Sequence, residues 1–139
     1  MPADAFISYS IKDRIVADAV CAALEAGGVR CWIAPRDVPP GEQHDAAVVS
    51  ALKAARLMVL VFSASSSASQ RVRRQLSLAS ARGIIPVELP GFSFPPADTL
   101  PEELRPLERH QRVEYTHRYF RAMVETIVQY LKTAADLSS

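Results

Sequence analysis

The chain has 139 residues, 49% of them hydrophobic and 22% charged, a size and balance suited to one globular domain with a single core. Sixteen Lys and Arg against fifteen Asp and Glu leave a formal charge of +1, so the overall field gives no reason to expect direct binding of nucleic acid or of a membrane surface. No apolar run approaches the roughly 20 residues that cross a bilayer and no basic leader segment precedes the first apolar run, which makes a cytoplasmic location the expectation.

In chain order, Asp4–Tyr9 is a short apolar run that predicts a first strand. Ser10, with Asp13 three residues on, has the form of a helix start with a capping-box-like arrangement. Ile15, Val16, Ala19, Val20, Ala23 and Leu24 then recur at helical spacing, the stripe expected to be buried, and Gly27-Gly28 marks the stop. Val29–Ile33 alternates as a second strand. Pro35, Pro39, Pro40 and Gly41 impose a loop, because proline neither donates to a ladder nor continues a helix interior. A second helix is expected over Glu42–Ala54, with Ala46, Val49 and Leu52 inward.

Leu57–Phe62 is apolar throughout, as a central parallel strand covered on both faces requires. Ser63–Ser69 reads as a serine-rich loop, residues 70–81 as a helix closed by Gly83, and Ile84–Leu89 as a fourth strand in which Pro86 points to an edge-like position or a local irregularity. Pro90–Pro101 reads as loop, Glu102–Leu107 as a short helical piece and Arg112–Tyr115 as a weak fifth strand. A last helix over His117–Thr133 has Phe120, Met123, Val124, Ile127, Val128 and Leu131 on its apolar side. Residues 1–133 therefore form the domain, and 134–139 a tail or the start of a linker.

Five strand–helix alternations predict an α/β domain: a parallel sheet with helices on both faces. Ligands of such sheets bind outside the carboxyl ends of the strands, which brings the loops Tyr9–Ser10, Ala34–Gly41 and Ser63–Ser69 to any site. The sequence has no G-x-G-x-x-G after strand one, no Walker P-loop and no G-x-S-x-G elbow. Strand three ends in Val61-Phe62-Ser63 rather than in the carboxylate of a phosphoacceptor domain. Cys21 and Cys31 read as small core residues. His44, His110 and His117 have no spacing that makes a metal site, so no metal is expected. Arg71, Arg73 and Arg74 read as a solvated helix face.

Three segments in order resemble a TIR domain (Toll/interleukin-1 receptor homology) of the bacterial, NAD-cleaving effector type. They are Asp4-Ala-Phe-Ile-Ser-Tyr-Ser10 followed by Lys12-Asp13-Arg14; Cys31-Trp-Ile-Ala-Pro-Arg-Asp-Val-Pro-Pro-Gly41-Glu42; and Leu60-Val-Phe-Ser63 with Ser66 and Ser69 ahead of Val72 and Gln75. The resemblance covers nearly the whole chain. It implies a flavodoxin-like five-stranded sheet and one of two functions: an NAD+ hydrolase or cyclase that splits the nicotinamide–ribose bond in bacterial immune signalling or phage defence, or a non-catalytic adaptor working by TIR–TIR contact. NAD+ enters as substrate, and no cofactor is implied. The implied partners are other TIR domains, met through the loop Ala34–Gly41 in a homo-oligomer or filament, and a sensor domain or subunit.

Residue by residue, the resemblance places Gln75 in the slot of the family's catalytic glutamate. A glutamine keeps the shape and removes the charge, so little NAD+ cleavage is expected. The neutral residue fits either a substituted enzyme or a native non-catalytic member. Ser8 and Tyr9 match positions lining the cleft, although Tyr9 also suits the edge of the core. Ser69 matches a polar position before the glutamate slot and equally suits a helix N-cap. Trp32, on the second strand, suits core packing or a sheet-edge contact more than stacking on a base of the ligand. Arg36 and Asp37, in the proline loop, suit NAD+ phosphates, a neighbouring protomer or each other. Arg71 stands where relatives often carry Trp. His44 falls where relatives carry an aromatic and suits packing or the rim, and Glu42 suits the start of the second helix.

Overall fold

The computed structural model describes residues 3–41, 43–78, 83–89, 113–114 and 124–129. The expectations for Glu42, for 79–82, for Pro90–Pro101, Glu102–Leu107, His110 and His117, for most of the last helix and for 134–139 lie outside the described residues.

The sheet has five parallel strands: β1 (Ala5–Ser8), β2 (Cys31–Trp32), β3 (Leu57–Phe62), β4 (Gly83–Glu88) and β5 (Val113–Glu114), in the order β2-β1-β3-β4-β5. That order is the flavodoxin-like one, with its reversal of direction between β1 and β3. The apolar run of β3 is buried at every residue; it pairs with β1 from Leu57↔Ala5 to Leu60↔Ser8 and with β4 from Leu57↔Gly83 to Phe62↔Glu88. A strand between two others and under helices on both faces has no polar side to offer, which is why it lacks alternation.

One face of the sheet is covered by α1 (Arg14–Ala26) and by the helical residues 124–129. Here Ala17, Val20, Cys21 and Leu24 join Ile7, Val59, Val61, Val124 and Ile127 in a core cluster. The other face meets α2 (His44–Ala54) and α4 (Gln70–Leu78), where Val48, Leu52, Val72 and Leu76 pack on Phe6, Leu60 and Phe62. Between β3 and α4 lies the short helix α3 (Ala64–Ala68).

Several expectations need correction. Helix α1 is preceded by a 3-10 turn over Ile11–Asp13, capped by the Ser10 hydroxyl, which accepts from the Lys12 N–H. The carboxylate of Asp13 accepts from Ser63 instead of closing a capping box. The buried stripe of α1 is Ala17, Val20, Cys21 and Leu24, with Val16 and Ala23 at its margin, and Ile15 is 88% exposed. In α2 the inward residues are Ala47, Val48 and Leu52, while Ala46 is exposed and Val49 half-buried. Ser63–Ser69 is not a loop: Ser63 caps α3 in a reciprocal box with Ser66. Gly83 opens β4.

Pro86 sits opposite Leu60 in an internal strand, not at the sheet edge. The pairing of β4 with β5 starts only at Val87, so the missing N–H of Pro86 falls before that ladder begins. The stop at Gly27-Gly28 is as read, with Gly28 at a φ of 92°. Cys21 and Cys31 are free and buried. Hydrogen bonding to Cys21, then burial, pushes the Cys31 thiol up, and it stays protonated.

Candidate functional site

The loops that follow β1, β2 and β3 are tied together along the carboxyl edge of the sheet. From the first, the Tyr9 hydroxyl donates to the Ala34 carbonyl in the second at 2.5 Å. From the third, the Ser63 hydroxyl donates to Asp13 at 2.5 Å. Burial pushes the Tyr9 phenol up against the opposing pull of Arg71, so the hydroxyl keeps the proton it donates.

Beside this edge a cleft of about 380 Å³ opens between α2 and α4. His44, Asp45, Val48 and Val49 form one wall; Gln70, Arg71, Arg74, Gln75 and Leu78 form the other. Gln75 is only 6% exposed. Its side-chain oxygen accepts from the Ser8 hydroxyl at 2.6 Å, across 67 residues of sequence. A buried amide needs such a partner, because an unpaired one costs about 1–3 kcal/mol. The last residue of β1 thus fixes the Gln75 side chain in the cleft wall.

The remaining sequence candidates are distributed as follows. Ser8 reaches the cleft through Gln75. Tyr9 is a core-edge residue whose ring lies under Arg71, with the guanidinium carbon 5.6 Å from the ring centroid, and its carbonyl accepts from Arg71 at 2.9 Å. Trp32 stacks on its register partner Phe6, ring centroids 5.3 Å apart and planes at 8°, so it packs on the sheet and does not line the cleft. Ser69 caps α4 by accepting from the Val72 N–H. His44 takes the rim position.

Arg36 and Asp37 form a clasp away from the cleft walls. The Arg36 guanidinium donates to Glu25 at 2.8 and 3.1 Å, to Asp37 at 2.7 and 3.0 Å and to the Cys31 carbonyl at 3.2 Å. Asp37 also accepts from the Ile33 N–H at 2.9 Å. These carboxylates, Asp37 first and Glu25 second, hold the Arg36 pKa above its ordinary value. The clasp pins the start of the proline loop to the end of α1, leaving Pro39, Pro40 and Gly41 exposed at the tip. Since Arg36 is 48% exposed and Glu25 38%, solvent screens the pairs, and Arg36→Ala should cost about 1 kcal/mol and lower the melting temperature by about 3–5 °C. A calorimetric melt checks this, and faster amide exchange at Asp37 should accompany the loss.

Arg71 and Arg74, expected on a solvated helix face, line the cleft, as does Asp45. The signal was present. Arg71, Arg74, Gln75 and Leu78 follow i, i+3, i+4, i+7 spacing, which puts all of them on the side of α4 that faces α2. Among the described residues, no group of three His, Cys, Asp or Glu side chains could hold a metal, and no helix is long and apolar enough to cross a membrane.

The family model described as TIR domain matches residues 5–128. Solved structures share the fold. The TIR domain of the Toll-related receptor TRR-2 from Hydra magnipapillata superposes with a TM-score of 0.73 at 18% identity, over 94% of this chain and 98% of that one. The TIR domains of the activated Roq1 resistosome, which recognises the pathogen effector XopQ, give 0.75 at 13% identity, over 93% and 99%. A metazoan TIR-STING receptor from C. gigas, solved in complex with 2',3'-cGAMP, gives 0.68 at 28% identity; 90% of this chain matches 39% of that longer one.

Proposed function

The chain belongs to the TIR domain family, and on that footing we propose that the cleft between α2 and α4 is a site for NAD+ whose chemistry is cleavage of the nicotinamide–ribose bond. One observation carries this reading: the side chain in the glutamate slot, Gln75, is buried in the wall of a cleft and fixed there by Ser8. Cleavage builds positive charge on the ribose, as in glycoside hydrolysis. Nicotinamide leaves neutral, so the site needs a fixed negative charge and a shaped pocket but no general acid. The pocket and the positioning are in place, and Gln75 lacks the charge. In this form the cleft holds the dinucleotide and turns it over slowly.

The setting that goes with this reading is a bacterial immune-signalling or phage-defence protein in the cytoplasm, joined to a sensor domain or subunit. Its TIR domains assemble through the loop Ala34–Gly41, whose exposed proline tip is held out by the Arg36 clasp. Proline at the tip lowers the entropy lost on docking. A second reading, a non-catalytic adaptor, draws support from the same neutral Gln75 and exposed tip.

Calorimetric titration of the chain with NAD+ separates the two. Saturable one-site binding, weakened when Ser8→Ala frees the Gln75 amide, is the expected result. A flat titration would favour the adaptor.

A further inference from the structure

We infer that the cleft of this chain is a receptor for the diphosphate of an ADP-ribose-class anion and holds that anion more tightly than NAD+ itself. The inference rests on the reading of the cleft as a nicotinamide-dinucleotide site and assigns the ligand form it prefers. Its basis is the polarity of the walls. Among the described residues, Arg71 and Arg74 bring two guanidinium groups to the cleft against one carboxylate, Asp45. Neither arginine forms an ion pair among the described residues. Arg71 is preorganised: one nitrogen is bonded to the Tyr9 carbonyl and the plane lies near the Tyr9 ring, which leaves its other N–H groups for a ligand.

Gln75 adds a donor in the position where cleavage calls for an acceptor. Its oxygen is taken by Ser8, and its amide nitrogen has no protein partner among the described residues. The lining therefore offers N–H groups and positive charge. Arg71 precedes Gln75 by one helical turn, about 6 Å along the axis. That is the span from the anomeric carbon of a ribose to its 5'-diphosphate. A ribose set against Gln75 then places its diphosphate under Arg71, with Arg74 alongside, and planar guanidinium groups pair with phosphate oxygens in fork geometry.

The nicotinamide ring of NAD+ carries a positive charge that such walls repel. ADP-ribose has the same diphosphate without it. Repulsion between like charges at about 8 Å, in a cleft open to screening solvent, amounts to roughly tenfold in affinity.

The experiment titrates this chain with ADP-ribose, NAD+ and inorganic pyrophosphate, and repeats the series on Arg74→Ala, Arg71→Ala and Gln75→Glu. ADP-ribose should bind about tenfold tighter than NAD+. Arg74→Ala, a change at an exposed residue with no partner among the described residues, should weaken ADP-ribose by about tenfold. Gln75→Glu, titrated with a non-cleavable carbocyclic analogue of NAD+ in place of NAD+, should erase or reverse the order by attracting the cationic ring. NAD+ binding as tightly as ADP-ribose, or Arg74→Ala and Arg71→Ala leaving both affinities unchanged, overturns the inference and leaves the dinucleotide site standing. Pyrophosphate matching ADP-ribose overturns the nucleotide assignment. No binding of any of the three removes the dinucleotide site as well.

Discussion

Gln75→Glu should release nicotinamide from NAD+ roughly a thousandfold faster than the chain as it stands. A carboxylate about 4 Å from the developing ribosyl cation, at an effective dielectric near 20, contributes about 4 kcal/mol, and each 1.36 kcal/mol is about a factor of ten in rate. The change is nearly isosteric, so the cleft shape and the Ser8 contact at 2.6 Å carry over. That contact has a further role in the variant. Burial of the new carboxyl favours its neutral form, whereas the Ser8 hydroxyl stabilises the ionised one. Turnover should therefore rise with pH as residue 75 ionises and stay high above that range. Ser8→Ala in the same background should move the rise to higher pH. Chromatographic measurement of nicotinamide across a pH series reads both effects. Silence from Gln75→Glu at every pH and protein concentration would leave the adaptor reading in possession. Activity that climbs steeply with protein concentration would tie turnover to assembly through the proline loop.

What a local sequence pattern encodes is limited by the range of the forces that build the structure. Leu57–Phe62 was legible to the residue because a strand buried on both faces excludes polar side chains, and composition alone reports that. The five strands followed from alternation. Helix faces were read less well. Ile15 stands two residues before Ala17, about 200° around the helix, so the 3.6-residue period of α1 carries it to solvent, off the face that Ala17, Val20, Cys21 and Leu24 bury. The serines of 63–69 looked like loop because serine competes for backbone hydrogen bonds in helices. Ser63 and Ser66 spend that capacity on a reciprocal cap and make α3 possible.

The site was legible as a slot and not as a surface. Position alone singles out Gln75 and Ser8, which meet at the cleft wall, while none of the described residues of the three loops named with them lines the cleft. The bonds that arrange them span long stretches of chain: Ser8 to Gln75, Ser63 to Asp13, Tyr9 to Ala34. No local pattern encodes these. Arg36 and Asp37 show the converse. Their charges suit a phosphate, and only the fold reveals that Glu25 on α1 and the Cys31 carbonyl already hold the guanidinium.

Phe62→Ala should be the most damaging single truncation for both stability and ligand binding. Phe62 is fully buried at the end of β3, in the cluster with Val48 and Leu52 of α2 and Val72 and Leu76 of α4. Removing a buried phenyl ring costs about 3–5 kcal/mol through lost transfer energy and the cavity left behind, a large part of the roughly 5–15 kcal/mol that holds a domain together. The functional loss should exceed what global unfolding explains. The helices that share a core cluster with Phe62 also form the two walls of the cleft, so their inward relaxation should narrow the gap proposed for the ligand. Phe62→Leu keeps most of the volume and should cost about 1 kcal/mol with affinity near that of the parent. Leu78→Ala, at a 40% exposed position on the same wall, should leave stability almost unchanged. Urea unfolding combined with ADP-ribose titration separates the contributions. If Phe62→Ala binds the ligand normally at temperatures where it remains folded, the walls are held by contacts other than the β3 core, and the link drawn here between the buried strand and the cleft is wrong.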